Sequence, residues 1–237
     1  MKVLHSICQK EEQEIREMQK RQRELHLIPT PICYLGLEVF DGGGEKIAEY
    51  QDRSKSWTRN WYNFIVGQAM GLSTNSLGTG FGPGTICPKS ISGSVISSSS
   101  VAFIDIAAIG RGHRGGASSS NVGVVVGTGV TAESFEDFQL SALIAHGTGA
   151  GQFSYGEMAV LTATWDGVAK KFIQNLERNF LNYSGASIDV NEVGLHCYFS
   201  STNVYAMTAR DLLAASISVP INGLLKVKYT QEITLPV

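Results

Sequence analysis

The chain has 237 residues, 43% hydrophobic and 17% charged, with 19 basic and 21 acidic side chains and a formal net charge of -2. That length buries a core of ordinary size in one large β domain or two small ones, and the low charge with 26 glycines describes a globular chain, not a disordered one. The near-neutral balance excludes the concentrated Lys and Arg that nucleic-acid binding needs, and no run of about 18 apolar residues offers a membrane span.

Residues 1–27 hold 11 of the charged side chains. Acids (Glu11, Glu12, Glu14, Glu17) precede bases (Lys20, Arg21, Arg23), an order that suits the helix dipole and i,i+4 pairing. A helix is predicted over Cys8–Leu27, ended by Pro29 and Pro31, so residues 1–28 form an N-terminal helical arm and 29–237 the body. Positions 4, 8, 11, 15, 18, 22 and 25 read Leu, Cys, Glu, Ile, Met, Gln, Leu, an apolar seam broken twice. Two readings stay open: a solvated arm with a thin contact stripe, or a helix that packs on a partner subunit or on its own copy. On the second, Leu4, Cys8, Ile15, Met18 and Leu25 are the candidate assembly interface. The apolar residues after Leu4 are isolated among Glu, Lys, Arg and Gln, which predicts no secretory signal. Cys8, Cys33, Cys87 and Cys197 make no C-x-x-C pair, which predicts reduced thiols in a chain matured in the cytoplasm.

From Ile32 to Tyr50 the apolar period becomes two around Asp41-Gly42-Gly43-Gly44, the pattern of a hairpin. Residues 55–70 return to helical spacing, with Ser54 or Ser56 as cap, Gly71 as stop, and Trp57, Trp61, Phe64 and Ile65 as a core-facing stripe. Long Gly/Ser-rich loops fill 71–122 around a strand at Val101–Ile106. Strands follow at Val122–Val126, Leu161–Trp165, Lys171–Phe180, Val190–Phe199, Val204–Met207, Ile217–Val219 and Leu224–Leu235, with one further short helix over Phe135–Ala142. The fold expected is mainly β: an antiparallel sandwich, jelly-roll or immunoglobulin-like, with the helical arm and one internal helix.

Chemical motifs are mostly absent. The Gly-rich stretches GTGVTAESFEDF and HGTGAGQF match no phosphate loop, and neither G-x-S-x-G nor H-E-x-x-H occurs. His146 reads as a loop histidine donating one turn hydrogen bond, and His113, between Arg111 and Arg114, as part of a solvated basic loop. His196 and Cys197 are adjacent in a strand and so face opposite ways. Glu133, Glu136 and Asp137 read as the acidic first turn of the short helix. Arg178 and Arg210 read either as surface charges or, for Arg210, as a local pair with Asp211 fixing a turn. No catalytic residue, cofactor site or metal site is assigned.

The segments Asp137–Leu140, His146–Gly149, Arg178–Ser184, Glu192–Leu195, Arg210–Leu213 and Leu225–Tyr229, after Gly127-Thr128-Gly129 and the helix SWTRNWYNFIVGQ, follow in an order that resembles a family of structural proteins of tailed bacteriophages. The resemblance spans roughly residues 34–237 and implies a non-enzymatic virion component, made in the host cytoplasm. It would assemble as a symmetric oligomer in the neck, tail or baseplate, with its arm engaging a neighbouring subunit or another virion protein. A capsid decoration protein is the alternative within that class. A carbohydrate- or receptor-binding module is the alternative outside it, and the placement of Trp57, Trp61, Tyr62, Trp165, Tyr183 and Tyr198 inside predicted elements counts against it.

Overall fold

The computed structural model describes residues 1–25, 31–70, 80–96, 109–110, 112–159, 163–199 and 204–235. Among the described residues ten strands and two helices succeed one another as β1 (Lys2–His5), α1 (Gln9–Glu24), β2 (Ile32–Phe40), β3 (Lys46–Ser54), α2 (Arg59–Met70), β4 (Gly123–Gly127), β5 (Ser154–Tyr155), β6 (Ala163–Asp166), β7 (Lys171–Leu181), β8 (Ile188–Phe199), β9 (Val204–Val219) and β10 (Leu224–Thr234). A seven-stranded sheet runs β1-β3-β2-β10-β7-β5, with β6 also on β7, and packs against a three-stranded sheet β4-β8-β9 in a sandwich-like arrangement. All pairings between these strands are antiparallel except β1 on β3. The mainly β sandwich expected from the apolar alternation is the fold observed.

Alternation explains the core. On β2, Leu35, Leu37 and Val39 stand opposite Tyr229, Val227 and Leu225 of β10, which stand in turn opposite Leu176, Arg178 and Phe180 of β7. That row meets Val193 and Leu195 of β8, Val124–Val126 of β4, and Met207 and Ala209 of β9 in one buried cluster. Each fully buried aliphatic or aromatic side chain there contributes about 1.5–3 kcal/mol against its entropy cost. β4 is buried throughout, because residues 142–144 cover its free edge through Thr128 N–H to Ala142 O and Ile144 N–H to Val126 O. Between β2 and β3, Asp41 accepts the Gly43 and Glu45 amides at 2.9 Å each, and Gly44 takes a left-handed φ of 83°.

Four features differ from the sequence expectation. The two strands expected at 204–207 and 217–219 are one, β9, in which Leu213–Ser216 bulge opposite Asn191 alone; Arg210 and Asp211 lie inside it, buried, not in a turn. No helix forms over Phe135–Ala142, because its acids are taken by distant partners: Glu133 by Ser56 Oγ and the Leu212 amide, Glu136 by Arg59, and Asp137 by Arg210. The internal helix starts at Arg59, not at a Ser54 or Ser56 cap, since residues 56–58 first line the edge of β9 through Thr58 N–H to Thr208 O and Arg210 N–H to Ser56 O. Its buried stripe is polar: Asn60 bonds the Lys89 backbone both ways and donates to Met207 O, and Asn63 donates to Cys87 O. Trp57, Trp61 and Phe64 stack half-buried along its side, and Ile65 is exposed. The expected strand Val101–Ile106, the parts of the Gly/Ser loop sequence at 71–79, 97–100, 107–108 and 111, residues 161–162 and the last residues of the arm lie outside the described residues.

Candidate functional site

The arm is a strand and a helix. β1 adds to the edge of β3 in parallel, Lys2 opposite Ala48, Val3 opposite Glu49 and His5 opposite Tyr50. Four residues of alternation are too few to announce a strand in sequence; the pairing is set by the open edge of β3. α1 then crosses the outer face of the large sheet. Its least exposed positions are 11, 15, 18, 19 and 22, so the seam read from the sequence faces the body of the same chain. Ile15 is 3% exposed, Met18 half-buried, Cys8 and Leu25 exposed, and Leu4 of β1 packs partly buried against the main core. Among the described residues of α1, Ile15 is the single buried side chain.

Polar contacts supply the rest of the attachment. Lys55 binds Glu11 and holds its carboxyl below the usual range, His5 Nε2 lies 3.3 Å from Asp52 Oδ2, and the His5 ring stacks on Tyr50. Within α1 the pairs Lys10–Glu14, Glu12–Arg16 and Lys20–Glu24 are exposed and contribute only a few tenths of a kcal/mol each. Between helix and sheet a cleft of about 500 Å³ remains, walled by Ile15, Arg16 and Gln19 on one side and Tyr34, Gly36 and Thr230 on the other. The floor is low at Gly36, which has no side chain where its neighbours Gln51 and Lys228 carry theirs.

Beneath this surface, buried charges fasten loops to strands. Arg210, 2% exposed, donates from Nε to Glu192 at 2.8 Å, from Nη1 to Asp137 at 2.7 Å and from Nη2 to Thr131 O at 2.7 Å. It does not pair with Asp211, which faces the other way: in a strand, neighbours alternate sides. Burial opposes the charge of Arg210, but the bonds to Asp137 and Glu192 outweigh it and raise its pKa. Glu192, fully buried, also accepts the amides of Gly129, Ser141 and Ala142. A Cβ at Gly127 or Gly129 would stand 2.5 or 2.4 Å from Glu192 Oε1, so the Gly-Thr-Gly sequence makes room for that carboxylate. Leu140 packs where Gly194 lacks a side chain. Thus four of the segments that carry the resemblance, around 127–129, 137–140, 192–195 and 210–213, meet at one ion network.

Arg178 is 1% exposed and donates to five carbonyls, of Gly116, Ser119, Val122, Val124 and Gly156, at 2.7–3.0 Å. Burial lowers its pKa to about 10, and its guanidinium lies 4.7 Å from the Tyr155 ring centre. Both arginines are therefore interior anchors and not surface charges. Asn182, in the same segment, ties the next turn together by donating to Ala186, Val219 and Pro220 carbonyls. His113 is likewise buried, not solvated, with Nε2 3.1 Å from Thr208 Oγ1, because the loop that carries it bridges β8 at Gly112 and Tyr198. His146 accepts the Tyr155 amide at Nδ1 instead of donating to its turn.

Three buried groups make stability depend on pH. Burial lowers His113 and His196 to about 4 and raises Asp211, which accepts Tyr229, Ser54 and the Lys55 amide, to about 6. As pH falls from 6.5 to 4 the unfolded chain protonates both histidines while the folded one does not, which removes about 3 kcal/mol each. Over pH 6 to 4 the folded chain keeps a proton on Asp211 that the unfolded one has less of, which returns about 3 kcal/mol. The urea midpoint is therefore expected to fall on acidification from pH 6.5 to 4, and to fall about twice as far in Asp211→Asn. An unchanged slope in that variant would remove Asp211 from the account.

Other surface features are apolar. Tyr62, Ile65 and Val66 of α2 with Phe135 form one exposed patch, and Trp165, Val168 and Phe172 another at the tip of the β6–β7 hairpin, where Val168 is 96% exposed. Tyr183 is also exposed. No cysteine is in a disulfide: Cys33, Cys87 and Cys197 are buried and Cys8 is exposed. Among the described residues no group of three or more His, Cys, Asp or Glu could hold a metal ion, and no helix is long and apolar enough to cross a membrane. In comparisons with known proteins, no family model matches the chain, and no match is found to a curated protein or a solved structure.

Proposed function

We propose that the protein is a non-enzymatic structural subunit of a tailed-phage virion, assembling as a symmetric oligomer in the neck, tail or baseplate through its N-terminal arm. The observation that carries this reading is the arm itself: a terminal strand and helix attached to the sheet edge and outer face by ionic contacts and one fully buried side chain. The resemblance in segment order supports the virion class, and the use of Arg178, Arg210, Glu192 and Asp137 as anchors of loop backbone supports a scaffold role. Its partners on this reading are further copies of itself and other virion proteins, with no nucleic acid or membrane.

The test is the solution mass, by light scattering, of the full chain and of a chain lacking residues 1–28. The expected result is a discrete oligomer that becomes a monomer on truncation, with the cooperative melt of the body retained. A monomer in both cases would overturn self-assembly through the arm. Capsid decoration is the alternative placement within the particle, separated from the first by whether the protein binds preformed shells. A second reading, a carbohydrate- or receptor-binding module, has one observation in its favour, the exposed Trp165 beside Phe172 with ring centres 4.8 Å apart. Loss of binding to host cell-wall polysaccharide on Trp165→Ala would support it.

A further inference from the structure

We propose that the arm is exchanged between copies: β1 and α1 of one chain leave their own body and occupy the same sheet edge and cleft on a second copy. This rests on the assembly reading above and specifies what the arm engages.

Three observations carry it. First, the arm's seat is defined by contacts that another chain's arm can make identically: β1 along Ala48–Tyr50 of β3, Glu11 on Lys55, His5 against Asp52 and Tyr50, and Ile15 over the Tyr34–Gly36 floor. The occupant is therefore known from the structure, down to register and charge pairing. Second, little apolar burial resists departure. Among the described residues, Ile15 alone is buried in the helix and Leu4 alone of the arm packs on the main core, and the cleft of about 500 Å³ leaves α1 only partly in contact with the sheet. Ionic contacts at a surface add little to such a hold. Third, the sequence between the arm and β2 contains Pro29 and Pro31, and proline breaks a helix, so α1 is not continued into the body.

Exchange then costs no contact. The same strand pairing and the same ion pairs exist in both forms, so the balance is set by how close a second seat is held. In a ring or stacked assembly the neighbouring seat stands at high effective concentration, and each chain's departed strand is replaced by its neighbour's. The stretch Ala48–Tyr50 of the β3 edge is never left open, which matters because an unpaired strand edge recruits other strands indiscriminately.

Val3 and Glu49 are register partners, close enough for a disulfide when both are cysteine. In a Cys8→Ser background, chains carrying Val3→Cys alone and Glu49→Cys alone are co-expressed, purified together, oxidised with diamide, and resolved on a non-reducing gel, with the mass of the same sample taken by light scattering. The control replaces Glu49→Cys by Val168→Cys, an exposed position away from the seat. The expected result is an oligomer with an interchain Val3→Cys/Glu49→Cys bond at least tenfold more abundant than the control bond. An oligomer without that excess would overturn exchange and leave arm-mediated assembly standing by another contact. A monomer without it would overturn both. The double variant Val3→Cys/Glu49→Cys on one chain must close a bond within or between chains; failure to close either would overturn the seat itself.

Discussion

Arg178→Met lowers the stability of the folded chain by about 4 kcal/mol or more, enough to leave much of the protein unfolded at 25 °C if its total stability lies in the usual range of about 5–15 kcal/mol. The side chain sits in the middle of β7, opposite Val227, on the face that looks into the sandwich. Among the described residues no carboxylate pairs with it. Its charge is solvated by five carbonyl dipoles and the faces of Tyr155 and Phe180; three of those carbonyls, of Gly116, Ser119 and Val122, belong to the loop that leads into β4, and a fourth, of Val124, to β4 itself. Methionine fills part of the volume but donates nothing, so buried acceptors lose their partner at about 1–3 kcal/mol each, less where a carbonyl keeps a second donor. Arg178→Lys is expected to recover little, since an ammonium offers three donors from one point where the guanidinium offers five in a fixed fork. The space is also fitted to arginine: a Cβ on Gly115 would lie 2.8 Å from Nη1. Urea denaturation measures the loss, and a cost below about 1 kcal/mol would show that the loop holds β4 without this anchor.

Glu192→Ala is expected to cost about 3–5 kcal/mol, the scale for breaking a buried ion pair from one side. The deletion strands the Nε of Arg210 and the amides of Gly129, Ser141 and Ala142, all of which now bond that carboxylate. Asp137 still neutralises part of the charge through Nη1, which keeps the cost from rising further. Removing both partners in Glu192→Ala/Arg210→Met should cost at least 1 kcal/mol less than the two single losses summed, because the double variant leaves no buried charge from that pair uncompensated. Strict additivity in the cycle would mean the two side chains contribute independently and that the network is only a packing contact.

The layers of this structure were unequally legible in the sequence. Strand identity followed from alternation in 171–181 and 224–234, where the apolar residues on one face had to be buried, and from charge order in α1. What alternation does not encode is a side chain's distant partner. Arg178 reaches carbonyls 54–62 residues away and Arg210 an acid 73 residues away, so both looked like ordinary strand charges. The same blindness produced a helix at Phe135–Ala142: three acids within five residues, Glu133, Glu136 and Asp137, suggest a first turn only while Arg59, Arg210 and Ser56 are out of view. α2 was recognised as a helix by its aromatic spacing, yet its buried polar side chains, Asn60 and Asn63, bond backbone at Cys87–Lys89 and Met207, while of its aromatics Phe64 packs half-buried on Cys197 and Ala206. For the arm, the stripe through Ile15 and Met18 was readable; that its nearest wall belongs to the same chain was not.

The place of β10 has a consequence for synthesis. It stands at the centre of the large sheet, with β2 on one side and β7 on the other, though it is translated after every other strand described here. A nascent chain carrying everything up to residue 220 has the two halves of that sheet and no strand to join them, so Val39, Leu37 and Leu176 wait beside an empty slot until Leu224–Thr234 is made. The sandwich must therefore form after translation of Leu224–Thr234, in a single late closure.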